Sequence, residues 1–316
     1  MSVHFLPVAA VALFAAFTNE GCEFGSRSND GRASFALIDG PAERVDLVKL
    51  TINRITLGYE NGSVNLPIDP PVVIDNLLDF QGINARQLLP LEEVRDGSYD
   101  WIRLYISERN DDSLVREREN GQEFPLQLEE DAVSGTETRY LQLNQSFRIP
   151  DDEDARFTLE LDLRKALLKP ESSYYLLRPT LRLARNEDSG TIRGTVAEAL
   201  VTAGYCTSDN AADEGRSLGN NVYLYRGAGV NMGDIYTNRA GSPIGSRNPY
   251  ATARVTQNTG NSEYSFEFGF IPAGSYTLGF TCQSMADEPM RQDSLRFDAR
   301  QEIVVEAGAV LELDLL

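Results

Sequence analysis

Along most of the chain, apolar and polar residues alternate with the period of two expected of half-buried strands, and helical periodicity is scarce. The stretch FALIDGPAERVDLVKLTINRITL (35–57) predicts a strand, a Gly40-Pro41 turn and a long second strand. Val48, Leu50 and Ile52 share one face, but Ile55 and Leu57 resume one residue out of phase, which predicts a bulge at Asn53 and Arg54. After Pro70-Pro71 an apolar strand runs from Val72 to Ile74, and a short helical turn is predicted over Ala85–Leu89, stopped by Pro90. An Asp96-Gly97 turn leads into Tyr99–Ser107, where Ile102, Leu104 and Ile106 face one way and Trp101, Arg103 and Tyr105 the other. Residues 108–123 are charged and read as a surface loop or hairpin tip. In FTLELDLRKALL (157–168), Phe157, Leu159, Leu161 and Leu163 are expected inward, and Thr158, Glu160 and Asp162 outward. YYLLRPTLRLA (174–184) closes this half, with Pro179 marking an edge or a strand start.

A short linker is expected at 185–189, followed by about seven strands with Gly and Asn turns. Tyr264, Phe266, Phe268 and Phe270 are expected on one face of a strand, and Tyr276, Leu278, Phe280 and Cys282 on one face of the next. The units DGSYDWIRLYI (96–106) and AGSYTLGFTC (273–282) look alike, which we read as shared turn chemistry rather than duplication. The predicted architecture is mainly β: two β-sandwich domains in tandem (33–185 and 186–316) after a signal peptide, with one or two short helices.

The N-terminus departs from this pattern. Phe5–Phe17 is an apolar run of signal-peptide length, too short to span a bilayer, so residues 1–21 are predicted to be removed. Gly21-Cys22 resembles a bacterial lipoprotein processing site, although Asn19 and Glu20 are atypical and no Lys or Arg precedes the apolar run. Ordinary cleavage and a misassigned start are the alternatives. Three cysteines are an odd number for an exported chain. A lipid on Cys22 leaves Cys206 and Cys282 to form one disulfide. Residues 22–32 read as a flexible tether, and Glu23 is not the Asp that commonly retains lipoproteins at the inner membrane, so the outer membrane is expected.

Charge and chemistry then narrow the function. A net charge of -19 argues against nucleic acid, which needs clustered Lys and Arg. The one histidine, His4, lies in the segment expected to be removed, which excludes Ser-His-Asp, Cys-His and histidine-zinc chemistry. No cofactor is predicted. Glu160 and Asp162 share a strand face and open a third reading as a glycoside hydrolase-like pair, against a solvated face, which we prefer. Acidic runs at Asp151, Asp152, Glu153 and Asp154, and at Asp111 and Asp112, read as surface charge rather than a calcium site. Trp101, Arg103 and Tyr105 form a stripe able to stack on a sugar or a partner; the alternative is packing beneath a loop or helix, with Arg103 paired to an acid. The insertion from Gly227 to Tyr250, carrying Tyr236, Arg239, Arg247 and Tyr250, is either a recognition loop or plain disorder.

The first half resembles the bacterial domain-of-unknown-function family numbered 4382, found in envelope lipoproteins. The residues that carry this are LIDGPAERVDLVKLTINRI (37–55), GSYDWIRLYI (97–106), LELDLRKALL (159–168) and LLRPTLRLA (176–184). The resemblance implies a β-rich envelope module and no chemistry. The second half resembles the transthyretin-like sandwich of carboxypeptidase regulatory and carbohydrate-binding-like domains, through GTIRGTVAEALV (190–201), NNVYLYRG (220–227), SEYSFEFGFIPAGSYTLGFTC (262–282) and IVVEAGAVLELDLL (303–316). The expected function is a non-enzymatic envelope lipoprotein that binds or scaffolds, its partners being the membrane through the lipid and a glycan or another envelope protein. The alternative is a carbohydrate-binding module.

Overall fold

The computed structural model describes residues 1, 30–107, 112–128, 139–171, 173–206, 219–238, 241, 243–244 and 247–316. The expected signal peptide, Cys22, most of the tether, Asp111 and Arg239 lie outside the described residues.

The first half opens with Asp30–Gly40 (β1), Val45–Tyr59 (β2), Gly62–Ile74 (β3) and Arg86–Arg95 (β4). It continues with Gly97–Tyr99 (β5), Trp101–Ile106 (β6), Leu114–Glu117 (β7), Glu123–Leu128 (β8), Tyr140–Leu143 (β9) and Phe147–Ile149 (β10). Asp154–Asp162 (β11) leads through a helical turn, Leu163–Ala166 (α1), to Leu167–Glu171 (β12), Tyr174–Leu177 (β13) and Leu181–Arg185 (β14). One sheet has the order β14-β11-β1-β4; a larger one runs β12-β13-β8-β7-β2-β6-β9, with β3 also on β2. The inward rows of β1 (Ala33, Phe35, Leu37) and β11 (Phe157, Leu159, Leu161) meet those of β2 (Val48, Leu50, Ile52) in one buried core. Phe35 stacks on Phe157 with ring centroids 5.5 Å apart. Burying each such side chain contributes roughly 1.5–3 kcal/mol. The pairing of β2 with both β3 and β6 shifts register between Ile52 and Arg54, where the phase change in the sequence predicts the bulge.

The second half contains Ser189–Val196 (β15), a helical turn at Glu198–Val201 (α2), Asn221–Arg226 (β16), Ala251–Arg254 (β17) and Thr256–Gln257 (β18). Tyr264–Pro272 (β19), Gly274–Thr281 (β20), Ala299–Val305 (β21) and Val310–Leu315 (β22) complete it. Two four-stranded sheets, β18-β19-β15-β22 and β17-β16-β20-β21, enclose a separate core of Ile192, Phe266 and Phe268 against Val222, Leu278 and Phe280. Cys206 and Cys282 are bonded to each other with Cα atoms 5.4 Å apart, and both are buried in this core.

The likeness of 96–106 to 273–282 has a physical basis. Gly97 and Gly274 adopt positive φ (+120° and +156°), and two residues on, Tyr99 and Tyr276 donate their hydroxyls to the carbonyls of Arg95 (2.6 Å) and Pro272 (2.8 Å). In each case a buried tyrosine fastens the start of a strand to the turn before it.

Four local expectations need correction. Ala85–Leu89 is not helical: Arg86 begins β4, which pairs with β1 through Phe35↔Leu89, and the helical turn sits earlier at Leu77–Asp79. Pro90 is tolerated because β4 is an edge strand. The strand at 157–168 ends at Asp162, whose side chain accepts from the Lys165 amide and caps α1. Phe270 leaves the core row: at φ +55° it sits where β19 and β15 shift register, and Ile271 takes the buried place. The last residues of the expected tether belong to a strand, since β1 starts at Asp30 and Arg32 pairs with Asp154.

The disulfide joins residues 76 apart in sequence, so it removes substantial loop entropy from the unfolded chain. Replacing both Cys206 and Cys282 with Ala is expected to cost roughly 4 kcal/mol in urea denaturation. Equal midpoints for the oxidised and reduced wild-type chain would contradict this.

Candidate functional site

The two halves meet across a seam built by α1 and the strand ends beside it. In α1, Arg164 and Lys165 reach toward the second half. Arg164 pairs with Glu43, both side chains about 5% exposed, and donates to the Tyr223 hydroxyl (3.3 Å) and the Ser284 carbonyl (3.0 Å). Asn221 donates to Glu43 (3.1 Å) and Ser284 Oγ (2.6 Å), and Tyr223 donates to Asp287 (2.5 Å). Lys165 bridges Asp162 (2.6 Å) and the Pro249 carbonyl (2.9 Å). Arg178, fully buried, donates to Thr237 Oγ1 (3.1 Å) and the Asn238 carbonyl (2.7 Å). Arg182 pairs with Glu160 and donates to the carbonyls of Phe270 (2.8 Å) and Gly269 (3.3 Å). Here the backbones touch: a Cβ on Gly269 would collide with the Gly82 carbonyl.

Burial dominates the titration of these groups. It raises Asp39 well above the ordinary carboxylate value, with Asp162 and Glu160 adding to the rise and the hydrogen bond from Gln81 opposing it. It also raises Glu160, against the lowering effect of Arg182. Desolvation would lower Arg164 and Arg182, but Glu43 and Glu160 respectively hold them above the usual guanidinium range. Asp287 is pushed up to about 6, chiefly by burial.

Glu160 and Asp162 are therefore not on a solvated face. Both are about 5% exposed, because the outer face of β11 passes beneath the second half. The stripe on β6 is self-saturated. Arg103 lies between Trp101 and Tyr140, 4.1 and 4.2 Å from their ring centres, and its Nε donates to Gln142 (2.7 Å) rather than to an acid. The other face of Trp101 lies on Gly58, and Tyr105 lies under Arg54 (3.8 Å). In the 227–250 insertion, Tyr250 packs against Arg226 (4.1 Å) and Tyr276 (6.0 Å), while the Tyr236 amide is held by Asn248 (2.8 Å). Arg247 is exposed and covers Gly233. With Thr237, Asn238 and Pro249 taken up by Arg178 and Lys165, the described part of this insertion serves as a clamp between the halves. Of the acidic runs, Asp154 pairs with Arg32 and Glu153 with Arg185, and Asp112 accepts from Ser107 (2.6 Å).

Two features escape sequence reading. Asp234, Asp287 and Asp293 place carboxylate oxygens within 4.8 Å of one another, a spacing that suits a hard cation. Asp287 takes the Tyr223 hydroxyl and the Ile235 amide, and the Asp293 amide binds Asp234, so these oxygens already fasten the 287–293 turn to 234–235. The second is a cleft of about 600 Å³ between the halves, lined by Asp39, Glu160 and Arg182 from one side and by Arg193, Thr252 and Arg254 from the other. Nothing at strand period marks either, because the three aspartates come from two separate loops of the second half and the cleft residues from both halves.

Removing one partner of a buried ion pair strands the other's charge. Glu43→Ala is expected to cost about 3–5 kcal/mol; a loss below 1 kcal/mol in urea denaturation would show that Arg164 finds another counter-charge. An acid whose folded pKa is raised contributes stability at low pH and loses it as pH rises through the folded value. Asp39→Asn is therefore expected to gain stability relative to wild type between pH 4 and pH 7.5, measured by urea midpoints at both. An unchanged difference would mean that Asp39 is not held protonated.

Residues 30–179 match the profile of the family described as "Domain of unknown function (DUF4382)". No curated protein matches the chain. Among solved structures, the fimbrial anchor protein Mfa2 from Porphyromonas gingivalis is 10% identical with a TM-score of 0.20, over 87% of this chain and 99% of that one. GBS52, the minor pilin of Streptococcus agalactiae, is 6% identical at TM-score 0.18, covering 90% of this chain and 94% of that one. The Bacillus anthracis TIE protein is 11% identical at TM-score 0.18 over 90% of this chain, which spans only 34% of that protein's length. Superpositions this loose carry no argument about function.

Proposed function

We infer that the chain is a non-enzymatic module of the cell envelope, held at the outer membrane by a lipid on Cys22. Its two sandwich domains, 33–185 and 186–316, act together as one binding or scaffolding unit. The observation that carries this reading is the fate of the carboxylates that acid-base catalysis would need. A glycosidase requires two carboxyl groups facing a substrate across several ångströms. Here Glu160 is paired with Arg182, and Asp162 is occupied by Lys165 and by capping α1. Both serve the seam. The clamp and the hydrogen bonds that Arg164, Lys165, Arg178 and Arg182 send across the seam couple the two cores, which suits a part that holds its shape rather than one that opens around a substrate. The transthyretin-like resemblance of the second half rests on its sequence signatures and adds a sandwich with no chemistry of its own.

The anchor supplies the address. No helix among the described residues is long and apolar enough to cross a membrane, so attachment in this reading depends on Cys22. Carbohydrate binding is the second reading, favoured by the polar cleft between the halves.

Fractionation of cells expressing the full chain should place it in the outer-membrane fraction, released only by detergent. Cys22→Ser should move it to the soluble fraction. Equal partition of wild type and variant would refute the lipid anchor, and release of reducing ends from a polysaccharide panel by the wild-type chain would refute the non-enzymatic reading.

A further inference from the structure

The polar atoms of the inter-half cleft are not all satisfied among the described residues. Four of its lining side chains carry a buried atom without a hydrogen-bond partner among them: Glu160 Oε1, Thr252 Oγ1, Arg182 Nε and Arg254 Nε. Leaving such groups unsatisfied costs on the order of 1–3 kcal/mol each, so a cluster of them just behind the wall of one cavity marks a place where a bound ligand, with small side-chain rotations, completes the bonds. The set mixes types: a carboxylate oxygen that only accepts, two guanidinium N–H groups that only donate, and a hydroxyl that does both.

We propose that this cleft binds a small, neutral, hydroxyl-rich ligand, a sugar unit or a short saccharide. The chemistry selects it by elimination. An anion would face five acidic side chains, Asp39, Glu160, Glu267, Glu312 and Asp314, of which the rim acids Glu267, Glu312 and Asp314 are the least buried. A cation would meet the guanidinium of Arg182 on one side and those of Arg193 and Arg254 on the other. An apolar ligand would leave all four orphaned atoms unpaired. A hydroxyl donates to Glu160 and accepts from an arginine with one oxygen, and adjacent hydroxyls repeat that pattern along a ring.

The position is prepared by the fold. Thr252 pairs with Tyr223 across β17 and β16 and so shares its face, the one turned to the first half. Glu160 lies on the face of β11 turned to the second half, fixed there through Arg182 and the carbonyls of Gly269 and Phe270. At the mouth, Arg193 is paired with Glu267 (2.6 Å) and Thr195 donates to Asp314 (2.6 Å), so these rim charges and hydroxyls are oriented. A volume of about 600 Å³ falls within the range of small-molecule pockets, roughly 300–1,000 Å³. The site takes residues from both halves, so it exists only while the seam is closed.

This deepens the binding-module reading and rests on it. Membrane partition is blind to the cleft, so either can fail alone. The test is titration of the purified chain, by calorimetry and ligand-observed NMR, with glucose, N-acetylglucosamine and cellobiose, and with glucosamine and galacturonate as cationic and anionic counterparts. A neutral sugar is expected to bind best. Thr252→Val removes a hydroxyl that has no partner among the described residues, and should weaken binding about tenfold, the equivalent of one lost hydrogen bond; Thr256→Trp fills the exposed rim and should weaken it about tenfold or more by blocking entry, each with the melting temperature unchanged. Absence of binding by every neutral probe, strongest binding by a charged one, or binding undiminished in both variants would overturn the proposal.

Discussion

The structure depends on how it disposes of charge where two sandwiches meet. Arg164 and Glu43 sit almost fully out of water, and so do Arg178, Glu160, Asp162 and Asp39. Each would cost several kcal/mol if left unpaired; Arg164, Glu43 and Arg178 bond to groups of the opposite half, while Glu160 pairs with Arg182 on the neighbouring strand, Asp162 with Lys165 of α1, and Asp39 accepts from Gln81. The seam is therefore conditional: separating the halves exposes all of these pairs together, and forming it requires all of them to find their places. That makes the four-residue turn α1 more consequential than its length suggests, because it projects both Arg164 and Lys165 across the boundary.

Much of the fold was legible in the sequence because strand patterning is a one-dimensional signal. Ile52, Ile55 and Leu57 reveal both the strand and its bulge, since a slip of one residue moves every side chain to the other face. The paired GSY units reveal two turns in which a tyrosine hydroxyl reaches back to a carbonyl. Cysteine parity leaves Cys206 and Cys282 as the pair that the structure joins. Errors arose where local composition and tertiary pairing disagree. Ala85–Leu89 has a helix-forming composition, yet the open edge of β1 takes Arg86–Leu89 as a strand, and pairing outweighs propensity.

The face of β11 shows the harder limit. Alternation correctly separates Glu160 and Asp162 from the core row of Leu159 and Leu161, but it does not say whether the second face meets water or another part of the protein. Along this strand the outer row runs from exposed Arg156 to buried Thr158, Glu160 and Asp162, so the transition occurs within a few residues. A hint was present in the run LRKALL, where Arg164 and Lys165 interrupt apolar residues, and in Arg178 and Arg182 around Pro179. Basic residues in apolar company need carboxylates or carbonyls beside them, and Glu160 and Asp162 on β11 lie two to five residues before Arg164 and Lys165.

Stability alone does not explain why the seam is ionic. An apolar seam of the same shape would often be as stable or more so, because a buried ion pair recovers little beyond its desolvation. What ion pairs and forked hydrogen bonds add is geometry. Arg178 meets Thr237 and Asn238 through one guanidinium, and Arg182 meets Glu160, Gly269 and Phe270 through another, so the halves have few alternative registers. Gly269 against Gly82 adds a steric term of the same kind, since contact without side chains leaves no slack. A cleft walled by both halves keeps its shape only if their relative position is held to within hydrogen-bond tolerance, and the ionic seam is the part of this fold that holds it.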